Sequence, residues 1–233
     1  MSTSFWDVTV NLFVNGFLPT LKIFAITLAF ALPLGLIISF GSRSKFQPLR
    51  WLVRTIVWIV RGTPLMLQLI VFYYGPGLLT KGEFMLACEP AVYLTFIFNY
   101  ACYFSEIFRG GIESIPTGQY EACKVLGMTK AETFFRVILL QVIRNVVPPI
   151  SNEVITLVKD TSLARIITYY EIIFVAESYI RGSGILWPLL YSGVFYLVAS
   201  GLLTILFNKI ENRLNFYKVL GGLTKWQYLK LKN

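Results

Sequence analysis

The feature that most constrains this chain is a series of apolar stretches, each close to the length of a bilayer's hydrocarbon core. About 20 apolar residues in helical form cross that core. Five stretches qualify: about Phe17 to Phe40, Trp51 to Leu79, Pro90 to Phe108, Val137 to Val158 and Ile185 to Phe207. Within the second, Arg54 and Arg61 mark an interfacial first part, so the crossing part runs from about Thr63 to Leu79. The composition agrees, with 56% hydrophobic residues and a mean hydropathy of +0.65. A soluble domain is closer to 45–50% apolar. The expected fold class is therefore an all-α membrane protein with five transmembrane helices, forming one domain over residues 1–233.

Between the spans, charge sets the orientation, because basic residues gather in short cytoplasmic loops. Arg43, Lys45 and Arg50 follow the first span, and Arg109, Lys124, Lys130 and Arg136 follow the third. The tail carries Lys209, Arg213, Lys218, Lys225, Lys230 and Lys232. The loop after the second span has only Lys81 as a basic residue, and the one after the fourth has Arg165 and Arg181. One arrangement satisfies all of these: N-terminus outside, C-terminus in the cytoplasm. Lys22 sits near the start of the first span and can snorkel to the interface. Trp51, Trp187 and Tyr191 fall near span ends, where amphipathic rings collect. The stretch from Lys159 to Gly184 carries Asp160, Glu171, Glu177 and Arg181, and reads as a short interfacial or re-entrant helix. Such backbone is tolerated at membrane depth where protein or water covers it.

Several function classes drop out. A net charge of +9 in a soluble protein would suggest nucleic acid, but here the basic residues lie between apolar runs, and a hydrophobic bundle offers no basic groove. Cys88, Cys102 and Cys123 have no metal-knuckle or disulfide spacing and read as free thiols. With no histidine, Ser–His catalysis and histidine-based zinc chemistry are absent. No metal site and no catalytic residue are expected. The N-terminus lacks a basic region and has Asp7 instead, so the first helix reads as a retained span and not a cleaved signal.

The mixed-charge segment of about residues 110–136 has clear local grammar. Pro116 can open a short helix, and Gly127 can close it in the left-handed conformation. Thr129 then caps a second helix, with Glu132 completing a capping box. The product is two short helices joined by a glycine turn. Glu121 and Ala122, with Gly127 six residues after Glu121 and Ile138 beyond, resemble the EAA loop of ABC importer permeases. Cys123 stands where that motif has a second Ala, and Leu140 where Pro is usual. Cys is small enough to keep a close helix approach; losing the Pro straightens the start of the fourth span. Three further stretches are similar to the polar amino-acid permease subfamily: Arg61-Gly62-Thr63-Pro64-Leu65 with Gln68; Ile115-Pro116 with Gly118-Gln119; and Leu157 through Leu163.

This resemblance implies the type I ABC importer permease fold, in the bacterial plasma membrane. It implies that Gln119, Glu121, Ala122, Cys123 and Gly127 form a coupling helix that docks on a cytoplasmic ABC ATPase. It also implies a dimer of permease subunits, identical or not, two ATPases and an extracellular or periplasmic amino-acid-binding protein. The chain has no G-x-x-x-x-G-K-[ST] phosphate loop, so ATP and Mg belong to the partner ATPase and no cofactor is expected in this chain.

Charge inside the apolar spans points to the substrate. An ionisable group at bilayer depth costs several kcal/mol and usually marks function or pairing. Glu153 and Asp160 lie seven residues apart and share a helix face about 10 Å apart along the axis. Asp160 suits an α-ammonium; Lys159, or the hydroxyls and amides of Thr161 and Ser162, suits the carboxylate. Glu153 would then meet the far end of a basic side chain, which favours arginine, lysine or histidine over glutamine or glutamate. Structural alternatives stand beside this: Lys159 and Asp160 pairing with each other or with Arg165, or Glu153 bridged to Lys159 or Arg144. Asn99 either lines the same cavity or makes an interhelical hydrogen bond. Glu106 reads as a partner of Arg109. Pro148-Pro149 either opens the fourth span or merely kinks it. Arg61 reads as a headgroup anchor. A channel would lack the docking hairpin; an intramembrane enzyme lacks a nucleophile elbow.

Overall fold

The computed structural model describes residues 4–222, with side chains to residue 214; Lys218's side chain, Lys225, Lys230 and Lys232 lie outside the described residues. Within that range the chain is helical nearly throughout. In chain order the helices are α1 (Phe5–Ser42), α2 (Gln47–Gly62), α3 (Leu65–Leu79), α4 (Cys88–Glu113), α5 (Thr117–Val125), α6 (Lys130–Ile167), α7 (Ile172–Ser183) and α8 (Trp187–Gly222). Four of them, α1, α4, α6 and α8, are long and apolar enough to cross a membrane. The remaining span is broken: α2 and α3 meet at Thr63–Pro64 with a bend of 105°. Four long helices and one bent pair make up the five expected.

The break follows from local chemistry. Pro64 has no backbone N–H and pushes Thr63 into an extended conformation (φ −113°, ψ 144°), which no helix can pass through. The carbonyls freed at the end of α2 are then satisfied by side chains. The Thr63 hydroxyl donates to Ile59 O at 3.0 Å, and the Gln68 amide donates to Val60 O at 2.7 Å and Thr63 O at 3.1 Å.

The central packing is α1 against α4, the most extensive helix pair in the molecule. From Thr20 on, the face that α1 buries is made of small residues apart from Ile23, namely Thr20, Thr27, Ala31, Gly35, Ser39 and Ser42, while Phe30, Leu36, Ile37 and Phe40 point outward. A soluble helix would be arranged the other way. In lipid, apolar surface gains nothing by hiding from its solvent, so helices associate through small residues that let backbones approach. Gly35 shows how close: a Cβ there would lie 2.8 Å from Phe104 Cβ and 2.9 Å from Ala101 O. Around this seam Ile23, Phe96, Tyr100, Phe104, Leu157 and Ile167 form the main core.

Several elements extend beyond their sequence-based limits, α8 among them, which runs past Phe207 to Gly222. α1 begins at Phe5 and not near Phe17; its first turns are held by Val8 and Leu12 against Ile172, Val175 and Tyr179 of α7, with the Asn11 amide donating to the Tyr179 hydroxyl at 2.7 Å. α4 runs on to Glu113 and α6 to Ile167, the latter tightening into a 3₁₀ turn over Thr161–Ile167. Pro148-Pro149 does not open the fourth span: α6 continues through both as one helix. The segment before α8 does contain a short helix, α7, capped by Glu171 and closed by Gly184 at φ +67°.

Candidate functional site: a cleft at the helix break and a docking hairpin

Beside the α2–α3 break is a cleft of about 530 Å³, lined by Arg61 to Leu65, Asn99, Tyr100, Tyr103, Glu153, Thr156, Asp160 and Leu163. It lies near the middle of α4, counted from either helix end. Helices α4 and α6 and the α2–α3 break build it. From α6, Glu153, Thr156 and Asp160 recur at intervals of three and four, so they share one face. From α4 come Asn99, Tyr100 and Tyr103. The break contributes Arg61 and the exposed backbone around Gly62–Leu65.

Its polar groups are held in place. The Tyr100 hydroxyl donates to Asp160 Oδ2 at 2.7 Å. The Asn99 amide donates to Gln68 Oε1 at 3.0 Å, which ties the start of α3 to α4. Gln68 therefore bridges from the loose end of α2 to the middle of α4. Arg61 lies with its guanidinium 5.2 Å from the Tyr103 ring centre and its Nη1 3.6 Å from Glu106 Oε2. Among the described residues, no cation is within ion-pairing distance of Glu153 or Asp160. The cleft thus presents two carboxylates at one wall and one guanidinium at the other.

Of the residues picked out by sequence, Glu153, Asp160 and Asn99 are brought together here. Lys159, Thr161 and Ser162 are not among the residues that line the cleft. Lys159 is exposed; Thr161 is fully buried with its hydroxyl donating to Val158 O at 2.6 Å; the Ser162 hydroxyl donates to Lys159 O at 2.8 Å. The pairings of Lys159 or Arg165 with Asp160 are not formed; Arg165 instead pairs with Glu177. Glu106 does pair with Arg109, as read, with contacts of 3.0 and 2.5 Å. Arg61, which the sequence reading set apart from the substrate, lines the cleft. Tyr100, Tyr103 and Thr156 were missed altogether. The signal for them was available, since Tyr103 and Thr156 fall one turn from Asn99 and Glu153.

The second feature is the hairpin between α4 and α6. α5 ends as its sequence suggests: Gly127 takes φ +71°, its N–H donates to Lys124 O at 3.1 Å, and the Met128 N–H donates to Cys123 O at 3.0 Å. This is the Schellman pattern, which satisfies the last carbonyls of a helix. The capping box at Thr129 and Glu132 is also present. Gln119, Glu121, Ala122 and Gly127 are exposed; Cys123 is buried and seats the helix. The Gln141 amide donates to Gln119 Oε1 at 3.2 Å and ties α5 to α6 about three turns in. Val125 and Leu126, 88% and 77% exposed, form an apolar tip left uncovered by the described residues. A tip of this kind suits docking on another protein.

Comparison with known proteins agrees with this architecture. Residues 31–216 match the family described as binding-protein-dependent transport system inner membrane component. The L-cystine transport system permease protein TcyB of Bacillus subtilis is 37% identical over 218 residues, covering 92% of this chain and 89% of that protein. The arginine transport system permease protein ArtQ of the same organism is 33% identical over 205 residues, covering 86% and 91%. A solved structure of an amino acid ABC transporter with histidines superposes with a TM-score of 0.81 at 27% identity, covering 91% of this chain and all of that one.

Proposed function

The chain belongs to the family of binding-protein-dependent transport system inner membrane components, and from that premise we propose that its cleft carries an amino acid with two cationic ends. The coarser function is plain: the chain is a multi-pass permease subunit of an amino-acid ABC importer of the bacterial plasma membrane. It is not itself an enzyme; ATP hydrolysis belongs to a separate subunit. The partners are a cytoplasmic ATPase pair, a second permease subunit and an external binding protein. The hairpin of Gln119, Glu121, Ala122, Cys123 and Gly127 couples to the ATPase, where ATP and Mg reside, and faces the cytoplasm.

The observation that carries the substrate reading is the acid pair. Glu153 and Asp160 share one wall of the cleft, two helical turns and about 10 Å apart. Among the described residues, no cation is within ion-pairing distance of either. A carboxylate away from water needs compensation. A basic amino acid supplies it at both sites, its α-ammonium at Asp160 and its side-chain cation at Glu153. A second reading is L-cystine, favoured by the similarity to TcyB: that molecule also presents two separated ammonium groups. Both readings fit better than glutamine, which leaves one carboxylate without a counter-charge.

The test is ATP-driven uptake by the complete transporter in proteoliposomes, with labelled L-arginine, L-lysine, L-histidine, L-cystine and L-glutamine. Preference for any of the first four over glutamine supports the acid-pair reading. Equal or better uptake of glutamine would sink it.

A further inference from the structure

The cleft has a neighbour. A second cavity of about 200 Å³ lies toward the hairpin end of the bundle, lined by Arg54, Val57, Trp58, Arg61, Glu106 and Arg109. Arg61 borders both. Its side chain therefore forms part of the wall between the substrate cleft and the hairpin end, tied across to α4 through Glu106.

The tie is unequal. Arg109 holds Glu106 with two short contacts from its own helix, Nε to Oε1 at 3.0 Å and Nη2 to Oε2 at 2.5 Å. Arg61 approaches the same carboxylate only to 3.6 Å, beyond hydrogen-bond length. Glu106 is thus compensated without Arg61. Withdrawing Arg61 strands no buried charge, which is the event that makes breaking an ion pair costly. On its other side Arg61 faces a cleft in which an incoming carboxylate could be gripped by two parallel N–H donors.

We propose that Arg61 is an exchange residue: it binds the α-carboxylate of the transported amino acid and in doing so leaves Glu106, opening the wall between the two cavities. This rests on the cleft being the substrate site. It assigns to Arg61 the carboxylate recognition that Lys159, Thr161 and Ser162 do not reach from their observed positions. It also gives the cleft a way to open toward the hairpin end only when a zwitterion is present.

The wall can be tested without knowing the substrate. In the assembled transporter, with Cys88, Cys102 and Cys123 replaced, a Thr156→Cys reporter is labelled with a membrane-impermeant maleimide in inside-out vesicles, without amino acid. Glu106→Gln is expected to label at least fivefold faster than its parent, and Arg61→Ala likewise. Glu113→Gln, which touches Arg109 but not the Arg61–Glu106 contact, is expected to match the parent. If both Glu106→Gln and Arg61→Ala assemble with the ATPase and label at the parental rate, the proposal is wrong. Carboxylate recognition is read separately, by competition of L-arginine and its methyl ester against labelled L-arginine uptake. The parent should prefer the free acid at least tenfold and Arg61→Ala less than twofold; a preserved preference overturns Arg61's role. If Glu153→Gln imports normally while the labelling still rises, the cleft assignment falls and the wall stands.

Discussion

Replacing Glu153 by glutamine should remove most of the selectivity for a basic amino acid while leaving transport of a neutral one nearly unchanged. The substitution keeps the shape of the cleft wall and deletes one charge. A hydrogen bond to a charged group contributes about 1.5–3 kcal/mol. Glu153 is half-buried, open to the cleft, so solvent screening argues for the lower end of that range. At about 1.4 kcal/mol per factor of ten, the kcat/KM for L-arginine should fall about tenfold. Asp160 is untouched and still held by Tyr100, so the α-ammonium keeps its partner and L-glutamine should change less than twofold. The assay is initial-rate uptake into proteoliposomes containing the full complex, with each amino acid well below its KM. An arginine-to-glutamine ratio equal to wild type, in a variant that assembles normally, would refute the reasoning.

Other perturbations probe the scaffold. Tyr100→Phe leaves Asp160 without its hydroxyl donor and should raise KM about tenfold for every substrate, with little change in kcat, checked by the same uptake assay. Gly35→Val places carbon where Phe104 and Ala101 already stand; such overpacking costs about 1–3 kcal/mol, and should lower the melting temperature of the detergent-purified complex. Gly127→Val forces a β-branched residue to φ +71° at about 1–2 kcal/mol; less ATPase should copurify with it. Burial pushes the Glu171 carboxyl, in the turn before α7, from an ordinary 4.5 up to about 7, against the opposing hydrogen bonds from Ile173, Phe174 and Tyr196. The folded chain then binds a proton that the unfolded chain has released, so thermal stability should fall as pH rises from about 4.5 to 7. Glu171→Gln should flatten that slope.

Much of this architecture was legible because the bilayer restricts the choices. Span length and the Pro116, Gly127, Thr129 and Glu132 punctuation are local signals, and each led to an element that is present. What escaped depended on depth and direction. The sequence places the start of the crossing part near Thr63, but only the Gln68–Asn99 bond reveals that the bend there lies beside the middle of α4. That contact also brings Arg61, at the end of α2, to the wall of the cleft. The first turns of α1 were hidden by Asn11, Asn15 and Gly16, which resemble a loop. Their polar groups are instead matched by one another and by Tyr179 across 168 residues of sequence. Lys159, Thr161 and Ser162 were chosen for their chemistry and not their phase. At 100° per residue they turn off the Glu153–Asp160 face, and helical periodicity alone could have separated them.

The most direct measurement is a density map of the assembled transporter in lipid nanodiscs with saturating L-arginine, and a second with L-cystine. Our account places the bound amino acid between Glu153 and Asp160, with its carboxylate on Arg61. Density for the amino acid elsewhere, or a cleft filled by helices of the second permease subunit with no room for a guest, would contradict it.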